Sequence, residues 1–373
     1  MDYSILNKTT VEDIEPKKDR ILEYLGMNKY DGAVIGRRDN FAWFTSGGEN
    51  KVLNFSDFGF SYLLITKNKI QLVSQIMDGQ RVIDEELNGL EIEYVPLKWF
   101  EDSKEDTILK LTSGKNILSD IPLPECKYSP DEFYSLHYPL TPLEIERLRW
   151  LGSKSEKIIR NVSDNISSGM REVEIAGMLL GEYGRSGIEC EVLMIGSDER
   201  ISKYRHPLPS DKKINKFVLV HPAVKKWGLH ANVTRLVSLE KLNPEIQKRF
   251  DAACRIAGEV ILSCKQDTKF SKILERQKHQ FENFGYKDEW DKHYHGGISG
   301  YLLADATVGM NPDLSVTNNQ AYDWFITITG VKVEELSINV NNNIEVPSID
   351  GAWPVKKYEF NGQILELPQI LCR

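Results

Sequence analysis

A strong helix start in the middle third of the chain, just beyond a stretch that reads as a boundary, favours a two-domain reading. Thr141-Pro142-Leu143-Glu144 sets a hydroxyl where a cap belongs, a proline at the first helical position, and a glutamate able to complete a capping box. Beyond it Ile145, Leu148 and Leu151, then Ile158 and Ile159, fall on one helical face. The stretch before it, from Leu123-Pro124 to Tyr138-Pro139, reads as a boundary. A chain of 373 residues divided there is expected to form two domains, 1–137 and 138–373.

The two parts differ in pattern. In the first, Asp19 to Leu25 and Gln80 to Glu86 have helical spacing, and Ala33 to Ile35 and Ile92 to Val95 read as short strands. Ser61 to Ile65 and Ile70 to Val73, joined at Lys67-Asn68-Lys69, read as a hairpin. This is an α/β unit. The second part predicts helices over Glu172 to Tyr183, Pro244 to Ser263 and Ser271 to Phe284. Strands are expected over Glu191 to Ile195, Phe217 to His221, His230 to Val237, Trp324 to Ile328, Glu334 to Val340 and Ile364 to Leu367. Long helices interleaved with an antiparallel sheet make an α+β domain.

Composition excludes several functions. A net charge of -8 argues against a general nucleic-acid binder, which needs a basic face to replace counterions. The five cysteines are scattered and never spaced Cys-x-x-Cys, so neither a disulfide framework nor a cysteine zinc site is expected. Met1 to Lys18 has no apolar core of a leader, and no apolar run reaches the length of a membrane span. The expectation is a soluble, cytoplasmic protein.

Three motifs carry the functional reading. Phe217-Val-Leu-Val-His221-Pro-Ala-Val-Lys-Lys-Trp-Gly228-Leu-His-Ala-Asn232-Val-Thr234-Arg235 has the form of a strand, a turn and a second strand ending in a Thr-Arg pair. His293-Tyr-His295-Gly296-Gly297-Ile-Ser-Gly300 is a glycine-rich, histidine-bearing segment, and Gly36 to Gly48 contains Asn40-Phe-Ala-Trp43-Phe-Thr45. In this order and spacing the chain resembles the creatinase, prolidase and aminopeptidase P family. That implies a C-terminal pita-bread domain preceded by a smaller α/β creatinase-type N-terminal domain.

The working members of that family bind two divalent metals through two aspartates, a histidine and two glutamates, and use them to activate water. Carried over position by position, the resemblance puts His221 and Asn232 at the aspartates, Gly297 at the histidine, and Phe325 and Glu334 at the glutamates. Only Glu334 is retained. The resemblance therefore implies no conventional metal pair and no cofactor. His206 and His293 match the family's outer histidines, and Thr234 and Arg235 match a pair that is expected to brace the hairpin.

Five of the seven histidines lie in these segments, and imidazole is the natural proton carrier near neutral pH. His206, His293 and Glu334 are the candidate catalytic residues. His221, His230, Asn232, His295, Arg205 and Glu335 are the candidate substrate-binding residues. Strand alternation places His230 and Asn232 on one face. Asp198-Glu199-Arg200 and the acidic run Asp84 to Glu93 read as solvated faces, and Trp227, Tyr301 and Trp324 as packing groups. The expected function is a metal-independent hydrolase or lyase acting on a C–N bond of a small peptide-like or amidino substrate, as a homodimer by analogy. The alternatives are a non-catalytic peptide- or small-molecule-binding protein and a rewired mononuclear site built from His221, His293, His295 and Glu334.

Overall fold

The computed structural model describes residues 6–7, 11–87 and 89–373. It separates into two compact units, one of 1–143 with 227–229 and the other of 144–226 with 230–373.

The first unit is built on a six-stranded mixed sheet. Its elements are α1 (Val11–Met27), β1 (Gly32–Arg37), α2 (Arg38–Phe44), β2 (Phe58–Thr66), β3 (Ile70–Gln75), α3 (Ile76–Arg81), β4 (Ile92–Leu97), α4 (Lys104–Thr112), β5 (Ile117–Ser119), β6 (Lys127–Tyr128) and α5 (Pro130–His137). The strand order is β4-β3-β2-β1-β5-β6. β2 and β3 form the expected antiparallel hairpin. Val34, Leu64, Val73 and Ile117 meet in its core with Ile108 of α4. Asp120 is buried within this unit, accepting N–H bonds from Gly36 and Arg37 and from the Asn40 side chain.

The second unit begins within α6 (Pro142–Ser163), followed by α7 (Glu172–Arg185), β7 (Glu189–Ser197) and α8 (Glu199–Lys203). Then come β8 (Phe217–Lys226), β9 (Leu229–Asn232), β10 (Arg235–Ser238), α9 (Pro244–Ser263) and α10 (Phe270–Asn283). β11 (Gly297–Ile298), β12 (Ala306–Thr307), β13 (Gln320–Ile328), β14 (Val331–Val340) and β15 (Asn343–Glu345) follow. β16 (Val355–Phe360), β17 (Gln363–Pro368) and β18 (Leu371–Cys372) complete it. One sheet runs β18-β10-β8-β7 with β9 beside β8, and another runs β12-β11-β13-β14-β15.

α9 shows why these elements form. Asn243 caps it by accepting from the Glu245 N–H at 2.9 Å, and Pro244 takes the first helical position. Phe250, Ala253, Ile256, Ala257 and Val260 are then buried along one face, against β13 and β14. Each large side chain so buried contributes about 1.5–3 kcal/mol. β13 is buried along its whole length and β14 all but its last residue, although both carry polar and charged side chains among the apolar ones.

The run His230 to Val237 is two strands rather than one. The chain breaks at Val233-Thr234, where the Val233 N–H bonds the Pro222 carbonyl and the Thr234 N–H bonds the Glu334 carbonyl at 3.1 Å. Asp198-Glu199-Arg200 is a brace rather than a solvated cluster. Asp198 accepts the N–H groups of Asn215, Lys216 and Phe217, and Arg200 pairs with the fully buried Glu172. All five cysteines are free.

Candidate functional site

β14 sets the floor of the site. Residues two apart on a strand share a face, so Lys332 and Glu334 project together, and on β13 Asp323 and Phe325 do the same. Phe325 lies directly opposite Glu334 in the ladder. The Lys332 Nζ bonds Glu334 Oε2 at 2.5 Å, and both side chains are only 3–4% exposed. β8 and the segment after β9 bring in the rest. His221 Nδ1 lies 2.8 Å from Thr234 Oγ1 and 3.2 Å from Glu334 Oε2. The Thr234 hydroxyl donates to Glu334 Oε2 at 3.2 Å, so its oxygen is free to accept from the His221 Nδ1–H. Asn232 Nδ2 donates to Asp323 Oδ2 at 2.7 Å.

This floor holds its charges unevenly. Burial works against ionisation of Glu334, but the His221 imidazole and the Lys332 ammonium outweigh it and keep the carboxyl well below the ordinary range. Burial pushes Asp323 well above its ordinary value, and the charge on neighbouring Glu334 adds to the rise. Between the two, the proton is favoured on Asp323 and the charge on Glu334. Asn232 Oδ1 and Asp323 Oδ1 are buried with no hydrogen-bond partner among the described residues.

Above the floor stand two imidazoles. His206, in the loop after α8, and His293, before β11, place their Nε2 atoms 3.0 Å apart. His293 Nδ1 lies 2.8 Å from the Tyr294 carbonyl, which can only accept, so this nitrogen carries the proton. A neutral His293 then offers a lone pair at Nε2, and His206 Nε2–H donates to it. That leaves His206 Nδ1 as the free basic nitrogen, with no hydrogen-bond partner among the described residues. The Phe325 ring separates the pair from the floor, with His293 5.1 Å away edge-on and the Lys332 Nζ 5.5 Å from its centroid. Burial and the Lys332 charge hold His206 below the usual imidazole value. Burial holds His293 down to about 4.

The structure therefore brings together His206, His293, His221, Asn232 and Glu334. It places the other four candidates elsewhere. Glu335 points to the opposite face of β14, where it is fully buried against Arg235 and Ser348. Arg205 pairs with Glu289 and Thr329, anchoring the loop that carries His206. His230 is fixed between the Gly300 carbonyl and Glu191 at 3.0 Å each, so it and Asn232 take different partners. His295 stacks on Trp290 with ring centroids 3.6 Å apart. Lys332 and Asp323 belong to the site and were not among the candidates. Their signal is the two-residue spacing from Glu334 and Phe325.

His295 gives a pH test. Burial holds it down to about 4, so it stays neutral in the folded chain while an unfolded imidazole protonates near 6.5. Unfolding then takes up a proton, and the stability His295 contributes is present above about pH 6.5 and lost as pH falls through about 4. In urea denaturation, the advantage of wild type over His295→Gln is expected to shrink between pH 7 and pH 4.5. A constant difference would show an unshifted imidazole.

The donor set does not fit a carboxylate-bridged pair of divalent metals. Among the described residues no group of three or more His, Cys, Asp or Glu is arranged to hold a metal ion. The position of Gly297 has no room for a ligating side chain, since a Cβ there would lie 2.0 Å from the Ala306 carbonyl oxygen. Phe325 is apolar, and Glu334 is already paired to a cation.

Residues 146–313 match the family model of metallopeptidase family M24. No curated sequence matches the chain at a significant level. Among solved structures, the prolidase from Pyrococcus horikoshii OT3 is similar over 89% of this chain and 98% of its own, with TM-score 0.75 and 17% identity. The Xaa-Pro dipeptidase from Bacillus anthracis covers 96% and 100%, with TM-score 0.76 and 13% identity. The N-terminal domain of a FACT complex subunit from chickpea, Cicer arietinum, covers 92% and 98%, with TM-score 0.70 and 10% identity.

Proposed function

From a chain that belongs to the pita-bread family of creatinase, prolidase and aminopeptidase P, we propose a hydrolase or lyase that cleaves a C–N bond of a small peptide-like or amidino substrate without bound metal. The observation that carries this reading is the His206–His293 pair, 3.0 Å apart and open to solvent above the Lys332–Glu334 floor. His206 Nδ1 takes a proton from water or from the substrate. The resulting imidazolium is stabilised through Nε2 by His293 and by the field of Glu334, and it returns the proton to the leaving nitrogen. His293 positions and shares the proton, and Glu334 acts from below, through charge.

The test is an assay of X-Pro dipeptides, N-amidino amino acids and small amides in the presence of a chelator. Turnover is expected to survive the chelator and to fall by roughly 10²–10⁴-fold in His206→Ala. Its acid limb is expected below the usual imidazole pKa, because Lys332 and burial both favour the neutral ring. Turnover that appears only with added Mn²⁺ or Co²⁺ and is indifferent to His206→Ala would overturn the proposal.

A second reading rests on the same floor. With Glu334 only 3% exposed and bonded to Lys332, His221 and Thr234, its charge is spent internally, as suits a module that binds peptides or small molecules without reacting. Ligand-induced thermal stabilisation without turnover would favour it. No helix among the described residues is long and apolar enough to cross a membrane. The proposal includes a homodimer, which sedimentation of the purified protein tests, and a cytoplasmic location, which fractionation of the expressing cells tests.

A further inference from the structure

A buried carboxylate must be neutralised, because an unpaired charge at this depth costs several kcal/mol. Glu334 is such a group. The cation it meets is Lys332, at 2.5 Å, itself 3% exposed and lying 5.5 Å from the Phe325 ring. The ammonium thus sits between residues directly opposite each other in the β13–β14 ladder, held by a carboxylate on one side and an aromatic face on the other. Asn232, bonded to Asp323, keeps a buried Oδ1 with no hydrogen-bond partner among the described residues.

We propose that the Lys332 ammonium is the resident cation of this pocket: it fills and neutralises the site from within, so that the native chain takes up no divalent metal there, and a chain with Lys332 shortened acquires a receptor for a small primary ammonium ion. The recognition chemistry is an N⁺–H donor of limited size facing Glu334, with the Phe325 ring behind it. A divalent ion fits less well, because Glu334 is already engaged by His221 and Thr234 and the Asn232 side chain offers only an amide oxygen. The proposal holds whether or not the histidine pair turns over a substrate.

The experiment compares wild type, Lys332→Ala and Lys332→Met by thermal denaturation in propylammonium chloride, with tetramethylammonium chloride at matched ionic strength as control. Lys332→Ala is expected to melt roughly 10 °C below wild type and to regain several degrees in propylammonium alone. Wild type and Lys332→Met, whose pockets are filled, are expected not to respond. Equal effects of the two salts on Lys332→Ala would overturn the proposal. Should that variant not fold, the cycle formed by Lys332→Met and Glu334→Gln decides: the double variant is expected to be more stable than Lys332→Met alone, and additive losses would overturn the idea. Mn²⁺ binding by wild type in calorimetry, abolished by Glu334→Gln, would overturn it too. His206→Ala is expected to leave every one of these readouts unchanged, which separates this proposal from the catalytic one.

Discussion

Arg235→Met is expected to lower the stability of the second unit by about 3–5 kcal/mol. Arg235 is 1% exposed and bonds Glu335, Glu156 at 3.1 Å and the Ser348 carbonyl at 2.7 Å, with the Trp353 ring 5.7 Å from its guanidinium carbon. Glu156 and Glu335 are fully buried, and burial already pushes both upward, Glu156 to about 7. Without the guanidinium, each must either remain an unpaired charge or take up a proton. Methionine keeps most of the volume, so the loss reads electrostatics rather than a cavity. Urea denaturation at pH 7 checks it. A loss under about 1 kcal/mol would mean that the carboxyls carry protons in the native chain and need little from Arg235.

Gly297→His is expected to disrupt β11 and β12 rather than to rebuild a metal ligand. The added Cβ would meet the Ala306 carbonyl oxygen at 2.0 Å and the Thr307 Cα at 2.8 Å. Those atoms are backbone, and β11 is paired to both β12 and β13, so neither side can yield cheaply. Overpacking of this kind costs about 1–3 kcal/mol or more. Combined with His221→Asp, Asn232→Asp and Phe325→Glu, the substitution restores the family's residue types, yet Mn²⁺ binding is not expected while Lys332 remains beside Glu334. Thermal denaturation and calorimetry read the two effects. A Gly297→His variant as stable as wild type would show that β12 can move aside.

Much of the fold was legible because its elements carry their own punctuation. Asn243-Pro244 starts α9, and Thr141-Pro142 starts α6, whose apolar stripe is buried as the spacing implies. The strand Val355–Phe360 was not legible, since Lys356 and Lys357 interrupt its pattern, although Asn361 and Gly362, both at positive φ, form the turn that closes its hairpin. The site was half legible. Motif spacing located His206, His293, His221, Asn232 and Glu334. It missed Lys332 and Asp323 because β13 and β14 are buried on both faces, so polarity does not mark the face that matters. Glu335 adjoins Glu334, and strand alternation sends such neighbours to opposite faces. Arg205, His230 and His295 found partners in Glu289, Glu191 and Trp290, contacts that no spacing rule encodes.

The β13–β14 hairpin also bears on how the chain folds. Its nine-residue ladder turns within Thr329-Gly330, so it pairs neighbours in sequence and closes a very short loop. Hairpins of this kind form in about 1–10 μs, whereas contacts across a hundred residues wait for slower closure. Lys332, Glu334 and Phe325 are all carried by this hairpin, while His221 and Asn232 come from segments about a hundred residues earlier. The acidic floor is thus expected to be neutralised early, by a group on the same strand. Assembly of the second unit need not wait for a metal ion to arrive.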